Sequence, residues 1–157
     1  MDISSFLRRL SDHDVRHVLI GALAFPHYGY GRSTLDVDVF IDPSLDNAQK
    51  TLAALTAFGF DTADLSVDDL LRYKVLIRDY RLDVDVHPFV TGVTFEPVFQ
   101  RSETASIGDV EIRVPCLDDL IVMKAAAGRP KDLEDLRVLT EIRRRRGVEA
   151  KNEKPKS

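Results

Sequence analysis

The sequence predicts a single α/β domain, and three observations carry that expectation. Segments with apolar residues at helical spacing alternate with segments in which they recur at every second position. No internal repeat and no linker interrupts that alternation. At 157 residues, 44% hydrophobic and 31% charged, the chain has the size and composition of one globular unit with its own core.

In chain order, residues 4–14 read as an amphipathic helix with Phe6, Leu7 and Leu10 on one side. The charges between Met1 and Leu10 distinguish this segment from a signal peptide. His17 to Ile20 is a short buried strand. Gly21 to His27 opens a helix, and Gly29 and Gly31 loosen the chain before the next strand. That strand, Thr34 to Ile41, alternates clearly and stops at Asp42-Pro43. Asp46 to Phe58 carries Ala48, Leu52, Leu55 and Phe58 at helical spacing, and Gly59 closes it. Asp68 to Leu71 is a helical turn. Lys74 to Ile77 and Leu82 to His87 are strands joined by Arg78-Asp79-Tyr80-Arg81. Phe95 to Gln100 is a short helix. Ala105 to Ile107 and Val110 to Val114 form a hairpin about Gly108-Asp109, which Pro115 ends. Leu117 to Ala127 and Leu133 to Arg145 are helices divided by Gly128-Arg129-Pro130. The domain thus spans 1–146, and the polar, lysine-rich residues 147–157 are expected to be a disordered tail.

Composition narrows the setting. Cys116 is the one cysteine, which excludes an intramolecular disulfide and suits a reducing, cytoplasmic location. No apolar run approaches the roughly 20 residues that a membrane helix requires. A net charge of −4 argues against indiscriminate nucleic-acid binding over the whole surface, while leaving room for a local basic groove. Arg143 to Arg146 read as a solvated helix end, where cations are favoured, rather than as an RNA patch. His13, His17, His27 and His87 show no pairing with Cys116 that would suggest zinc.

The chemistry concentrates in two acidic strands. Alternation puts Asp36 and Asp38 on one face, with Val37 and Val39 on the other. Carboxylates that close repel each other, and a divalent cation bound by oxygen is the usual physical reason for them. The same alternation aligns Asp83, Asp85 and His87, with Leu82, Val84 and Val86 toward a core. If the two strands pair, enough carboxylates converge for two magnesium ions. A solvated acidic edge is the alternative, and it is weaker for Asp36 and Asp38 because Gly21-Ala22 precedes them.

The Val18–Ile41 segment resembles the motif of the polymerase-β-like nucleotidyltransferase superfamily. There a glycine–small pair opens a helix ahead of an hDhDh strand. Leu120 to Leu136, with Lys124 followed by Arg129-Pro130-Lys131-Asp132, is similar to the small bacterial branch around AbiEii-type toxins and minimal nucleotidyltransferases. The matches span roughly residues 17 to 139. They imply an α+β fold, a mixed β-sheet flanked by helices. The implied activity is transfer of a nucleoside monophosphate from an NTP to an acceptor hydroxyl on RNA (tRNA especially), protein or a small molecule. Two Mg²⁺ ions are implied, with Mn²⁺ as substitute, and so is an antitoxin protein as partner.

Carried over, Asp36 and Asp38 match the metal-binding pair. The third carboxylate falls on Asp85 or Asp83. Asp85 is preferred because the family often has a glycine seven positions on, where Gly92 stands. Gly21 and Ala22 match the helix opening, whose N–H groups would face phosphate. The family commonly has Gly-Gly or Gly-Ser there; Ala22 keeps the backbone donor and lacks the hydroxyl. Lys124 and Arg129 would serve the phosphates, with Lys131 beside them. Asp132 matches the family's aspartate after the basic pair. A helix-dipole role is the alternative for Asp132 or Asp135, and solvent-seeking is the alternative for Lys124. Arg32, flanking the strand with Thr34, could hold phosphate or pair with an acid. Haloacid-dehalogenase phosphatases also carry DxD, but there the pair ends its strand, whereas Val39-Phe40-Ile41 continue this one. Glycosyltransferases with DxD are usually longer.

Overall fold

The computed structural model describes residues 2–32, 34 and 36–152. Helix α1 (Asp2–Asp12) leads into β1 (His17–Ile20), and β2 (Asp36–Ile41) follows an irregular stretch. Helices α2 (Leu45–Phe58) and α3 (Val67–Arg72) connect β2 to β3 (Val75–Arg78) and β4 (Asp83–His87). Then come α4 (Phe95–Gln100), the hairpin β5 (Glu103–Ile107) and β6 (Val110–Val114), α5 (Leu117–Ala127) and α6 (Pro130–Asn152). Apart from the helix expected at Gly21, the expected elements are present, about half of their ends coinciding and the rest, save the end of α6, shifted by one to three residues. Leu35, inside the expected strand that became β2, lies outside the described residues.

The sheet order is β1-β2-β4-β3, with β5 and β6 forming a second, two-stranded sheet. β1 with β2 and β3 with β4 are antiparallel, whereas β2 with β4 is parallel. The sheet is therefore mixed, as the resemblance implies. A parallel pair cannot be closed by a hairpin, so α2 and α3 are spent on the crossover between its strands. Local sequence fixes the ends of both. Ser44 caps α2 by accepting the Asn47 N–H, and Gly59 ends it at φ 104°. Ser66 and Asp69 form a reciprocal capping box on α3.

The parallel register sets Asp36 beside Asp83, Asp38 beside Asp85 and Phe40 beside His87. Val37, Val39, Val84 and Val86 take the opposite face, all fully buried, in one core with Phe6, Leu10 and Leu55. Burying a side chain of this size stabilises the fold by about 1.5–3 kcal/mol, so the valines hold the acids out on the other face. Phe40 shares that acidic face, and Phe95 of α4 closes it edge-on at 5.3 Å.

Two segments depart from expectation. Gly21 to His27 is not the start of an α-helix; it forms two 3-10 turns, Gly21–Leu23 and Phe25–Tyr28. Gly21 has φ 72°, outside the helical region, and Pro26 has no N–H to donate back to residue 22. Residues 147–152, expected to be disordered, continue α6; residues 153–157 lie outside the described residues. Gly147 alone costs a helix only about 1 kcal/mol. Arg144 and Arg145 both reach back to Glu141, at 2.7 and 3.2 Å, and strengthen the helix just before it. The arginine run is satisfied within the chain: Arg143 meets Asp118 at 3.4 Å and Arg146 lies 5.0 Å from the Tyr28 ring centre. Among the described residues no helix is long and apolar enough to cross a membrane.

Candidate active site

The site begins where β1 ends. Ile20 is the cross-strand partner of Asp38, so the next residue leaves the sheet beside that carboxylate. A Cβ on Gly21 would stand 2.7 Å from Asp38 Oδ2, and φ 72° is a conformation that side-chain-bearing residues rarely adopt. Glycine is needed here on both counts. Gly21→Ala is expected to cost about 1–2 kcal/mol from the left-handed backbone alone. Displacing Asp38 should also lower the transfer rate by roughly 10²-fold, the effect of a misplacement near 1 Å. Urea melts and initial rates measure the two; an alanine variant with unchanged rates would separate Gly21 from the chemistry.

On the acidic face, Asp38, Asp85 and His87 bring one potential ligand atom each within 4.8 Å of one another. His87 Nε2 lies 2.9 Å from Asp38 Oδ1. Asp85 is 8% exposed, and its Oδ1 accepts a 2.7 Å hydrogen bond from Arg78 Nη1, with Lys74 Nζ 3.9 Å from its Oδ2. Asp36 is exposed one step nearer the strand start, and its N–H donates to Thr34 Oγ1 at 3.1 Å. The two converging carboxylates suit the oxygen-seeking cation that the resemblance implies, whereas the imidazole of His87 is a softer donor that Mn²⁺ accepts more readily than Mg²⁺.

The facing wall comes from α5 and α6. Asp132, the third residue of α6, accepts the Arg129 N–H at 3.2 Å and so caps the helix. Its side chain is fully buried, bound by Arg129 Nε at 2.6 Å and by Lys124 Nζ at 3.1 Å. Asp135, one turn on and 1% exposed, binds Lys124 at 3.1 Å, Arg32 at 2.6 Å and the Tyr30 hydroxyl at 2.9 Å. Burial pushes the Asp132 carboxyl up, but hydrogen bonds from Arg129 and Lys124 outweigh it and hold the group at about 2. Asp132, followed by the nearby charge of Asp38, raises the Arg129 guanidinium. Lys124 is therefore not seeking solvent; two buried carboxylates aim it. The tyrosine phenol is raised by burial and by the same Asp135.

Both walls enclose a cavity of about 460 Å³. Gly21, Ala22, Arg32, Thr34, Asp36, Asp38, Asp85, Lys124, Arg129, Lys131 and Asp132 all line it. Asp83 is not among the lining residues. His87, which alternation aligns with Asp85 and which sequence alone favours as a structural histidine, lines it, as do Lys74 and the exposed Phe89, for which the sequence suggested no role. For His87 the signal was available, since it continues the alternation of Asp83 and Asp85. Asp132 and Asp135 both proved to be anchors for cations, a larger role than stabilising a helix dipole. The arrangement places a set of side chains that could hold a cation opposite a group of positive side chains, with glycine backbone between. It can hold a polyphosphate across the gap.

Comparison with known proteins agrees. The family described as nucleotidyl transferase of unknown function (DUF2204) matches the chain over residues 1–157. The chain belongs to this family. It is accordingly a nucleotidyltransferase, and its mixed sheet flanked by helices is the fold of solved nucleotidyltransferase structures. No curated protein matches the sequence. The crystal structure of the lincosamide antibiotic adenylyltransferase LnuA, lincomycin-bound, superposes with a TM-score of 0.61 at 13% identity, covering 90% of this chain and 96% of that one. TM1012 from Thermotoga maritima, assigned provisionally to the nucleotidyltransferases, superposes with a TM-score of 0.59 at 16% identity over 88% and 90%. At these identities the likeness shows the fold alone.

Proposed function

We propose that this nucleotidyltransferase moves a nucleoside monophosphate from an NTP to a hydroxyl of a small-molecule acceptor. The observation that carries the reading is the cavity itself, where Asp36, Asp38, Asp85 and His87 face Lys124, Arg129, Lys131 and Arg32. An acceptor oxygen attacks the α-phosphorus, the bond from that phosphorus to the bridging oxygen breaks, and pyrophosphate leaves with the electron pair. The acceptor hydroxyl, made more acidic beside the Asp85 set, releases its proton to solvent. Asp36, Asp38, Asp85 and His87 would hold Mg²⁺ or Mn²⁺. Such a cation, when bound, supplies charge stabilisation for the transferring phosphoryl group and lowers the acceptor's pKa. Lys124 and Arg129, pre-aimed by Asp132, offset charge on the leaving pyrophosphate without reorganising. The backbone at Gly21 and Ala22 lies close enough to Asp38 to share the phosphate.

A small acceptor is favoured over RNA because Arg143 to Arg146 are each engaged by Asp118, Glu141 or the Tyr28 ring, which partly offsets their charge. The lincomycin-bound LnuA provides a precedent for a small acceptor on this fold. The toxin role implied by the AbiEii resemblance would use the same transfer onto RNA. The second reading is a silent nucleotide-binding module, and the hydrogen bond from Arg78 to Asp85 favours it if that contact never opens.

One assay separates these readings. The protein is incubated with Mg²⁺ and α-labelled NTPs, and with hydroxylated small molecules or total RNA in parallel. Label moving onto a small molecule is the expected result. Label on RNA alone would move the reading to the toxin role, and nucleotide binding without transfer would leave the silent module.

A further inference from the structure

The two cations nearest Asp85 lie outside the phosphate-facing group, on an edge strand. β3 pairs antiparallel with β4, with Leu76 opposite Asp85. Alternation sends Lys74, Leu76 and Arg78 to the acidic face, and Lys74 and Arg78 become the two diagonal neighbours of Asp85. Each carboxylate oxygen then meets one cation: Oδ1 meets Arg78 at 2.7 Å and Oδ2 meets Lys74 at 3.9 Å. The two cation side chains are each 51% exposed, whereas the Asp85 side chain is 11% exposed. On the facing wall the carboxylates Asp132 and Asp135 share Lys124, a cation whose side chain is only 15% exposed. At Asp85 the acid is fixed and its counter-ion rides a long, half-exposed stem on the outer strand.

We infer that Arg78 is the resident counter-cation of Asp85, exchanged for the divalent cation when that cation binds the Asp38, Asp85 and His87 set. The inference rests on the metal-dependent reading of the site. A divalent cation at Asp85 would stand close to the guanidinium that already sits 2.7 Å from its Oδ1, and repulsion between the two cations makes them compete. Arg78 supplies the charge that keeps the acids of β2 and β4 together while no metal is present. Asp85 raises the guanidinium through its hydrogen bond, and the charges of Asp83 and Asp36 add to it. Swinging Arg78 outward costs little, since half of it already faces water. The silent-module reading corresponds to an Arg78 that never leaves.

Mn²⁺ alone is the probe. Binding to the full chain, without nucleotide, is followed by loss of the free-ion electron paramagnetic resonance signal, for wild type, Arg78→Gln, Arg78→Lys and Asp85→Asn. Arg78→Gln should bind Mn²⁺ roughly three- to tenfold more tightly than wild type, the range for removing one charge-assisted competitor. Arg78→Lys should fall between them, and Asp85→Asn should bind more weakly than wild type. Circular dichroism of each variant checks the fold, and Arg78→Lys keeps the charge if the glutamine variant does not fold. If Asp85→Asn weakens Mn²⁺ binding while neither Arg78 variant tightens it, the exchange is wrong and the metal centre stands. If no chain binds Mn²⁺ at this face, the centre is wrong and the exchange goes with it.

Discussion

Asp38→Asn is expected to lower the rate of nucleotidyl transfer by at least roughly 10²- to 10³-fold, the scale seen when one preorganised electrostatic contact to a transition state is removed. Asp38 joins three parts of the site. Asp38 pairs with His87 at 2.9 Å, stands beside Asp85 in the sheet, and takes the space that a Gly21 side chain would need. Asparagine has nearly the same shape and can still bond the imidazole, so the melting temperature should change little. The loss should therefore appear in kcat, together with weaker Mn²⁺ binding, in a chain that remains folded. Wild-type rates from Asp38→Asn would mean that the reaction does not run on this face.

Much of this site could be read before the fold was known, because strand periodicity is short and strict. Asp36 with Asp38, and Asp83 with Asp85 and His87, follow from a period of two. What periodicity cannot supply is the pairing of strands separated by a crossover. Only the parallel register shows that Asp38 meets Asp85, and only the antiparallel edge shows that Lys74 and Arg78 flank Asp85. Asp135 illustrates the same limit: its partners Arg32 and Tyr30 lie 103 and 105 residues away, and nothing local announces them. Where expectation failed, a local rule was outweighed. The Gly21 segment was expected to open a helix, but a positive φ and Pro26 prevented it. Residues 147–152 had a polar, disorder-like composition, yet they extend a helix already braced by the arginine–glutamate pairs before them. Composition describes what a segment could do alone, and this one is not alone.

The buried anchor of the wall formed by α5 and α6 gives the second large effect. Asp132→Asn should destabilise the fold by roughly 2–3 kcal/mol, since it removes charge-assisted hydrogen bonds from Arg129 and from the mostly buried Lys124. Lys124 would keep only Asp135, Arg129 would lose its paired oxygens, and the N–H of Arg129 would lose its acceptor at the start of α6. The effect should depend on pH in a definite direction. The folded Asp132 titrates at about 2, below its ordinary 3.8, so the unfolded chain binds this proton first on acidification. Its contribution is complete above the ordinary value and drains away as pH falls from about 4 toward 2. The part lost in that window is about 2 kcal/mol, from 1.36 kcal/mol for each pH unit of displacement. Glu141, also held at about 2 by Arg144 and Arg145, adds its own acid sensitivity, but equally in both chains. Urea melts of wild type and Asp132→Asn between pH 5 and pH 2 therefore isolate Asp132 in the difference between them. That difference should be largest at pH 5 and should shrink with acid. A gap that stays constant to pH 2 would show that Asp132 is not held as a charged partner of Lys124 and Arg129, and the pre-aimed phosphate wall would lose its basis.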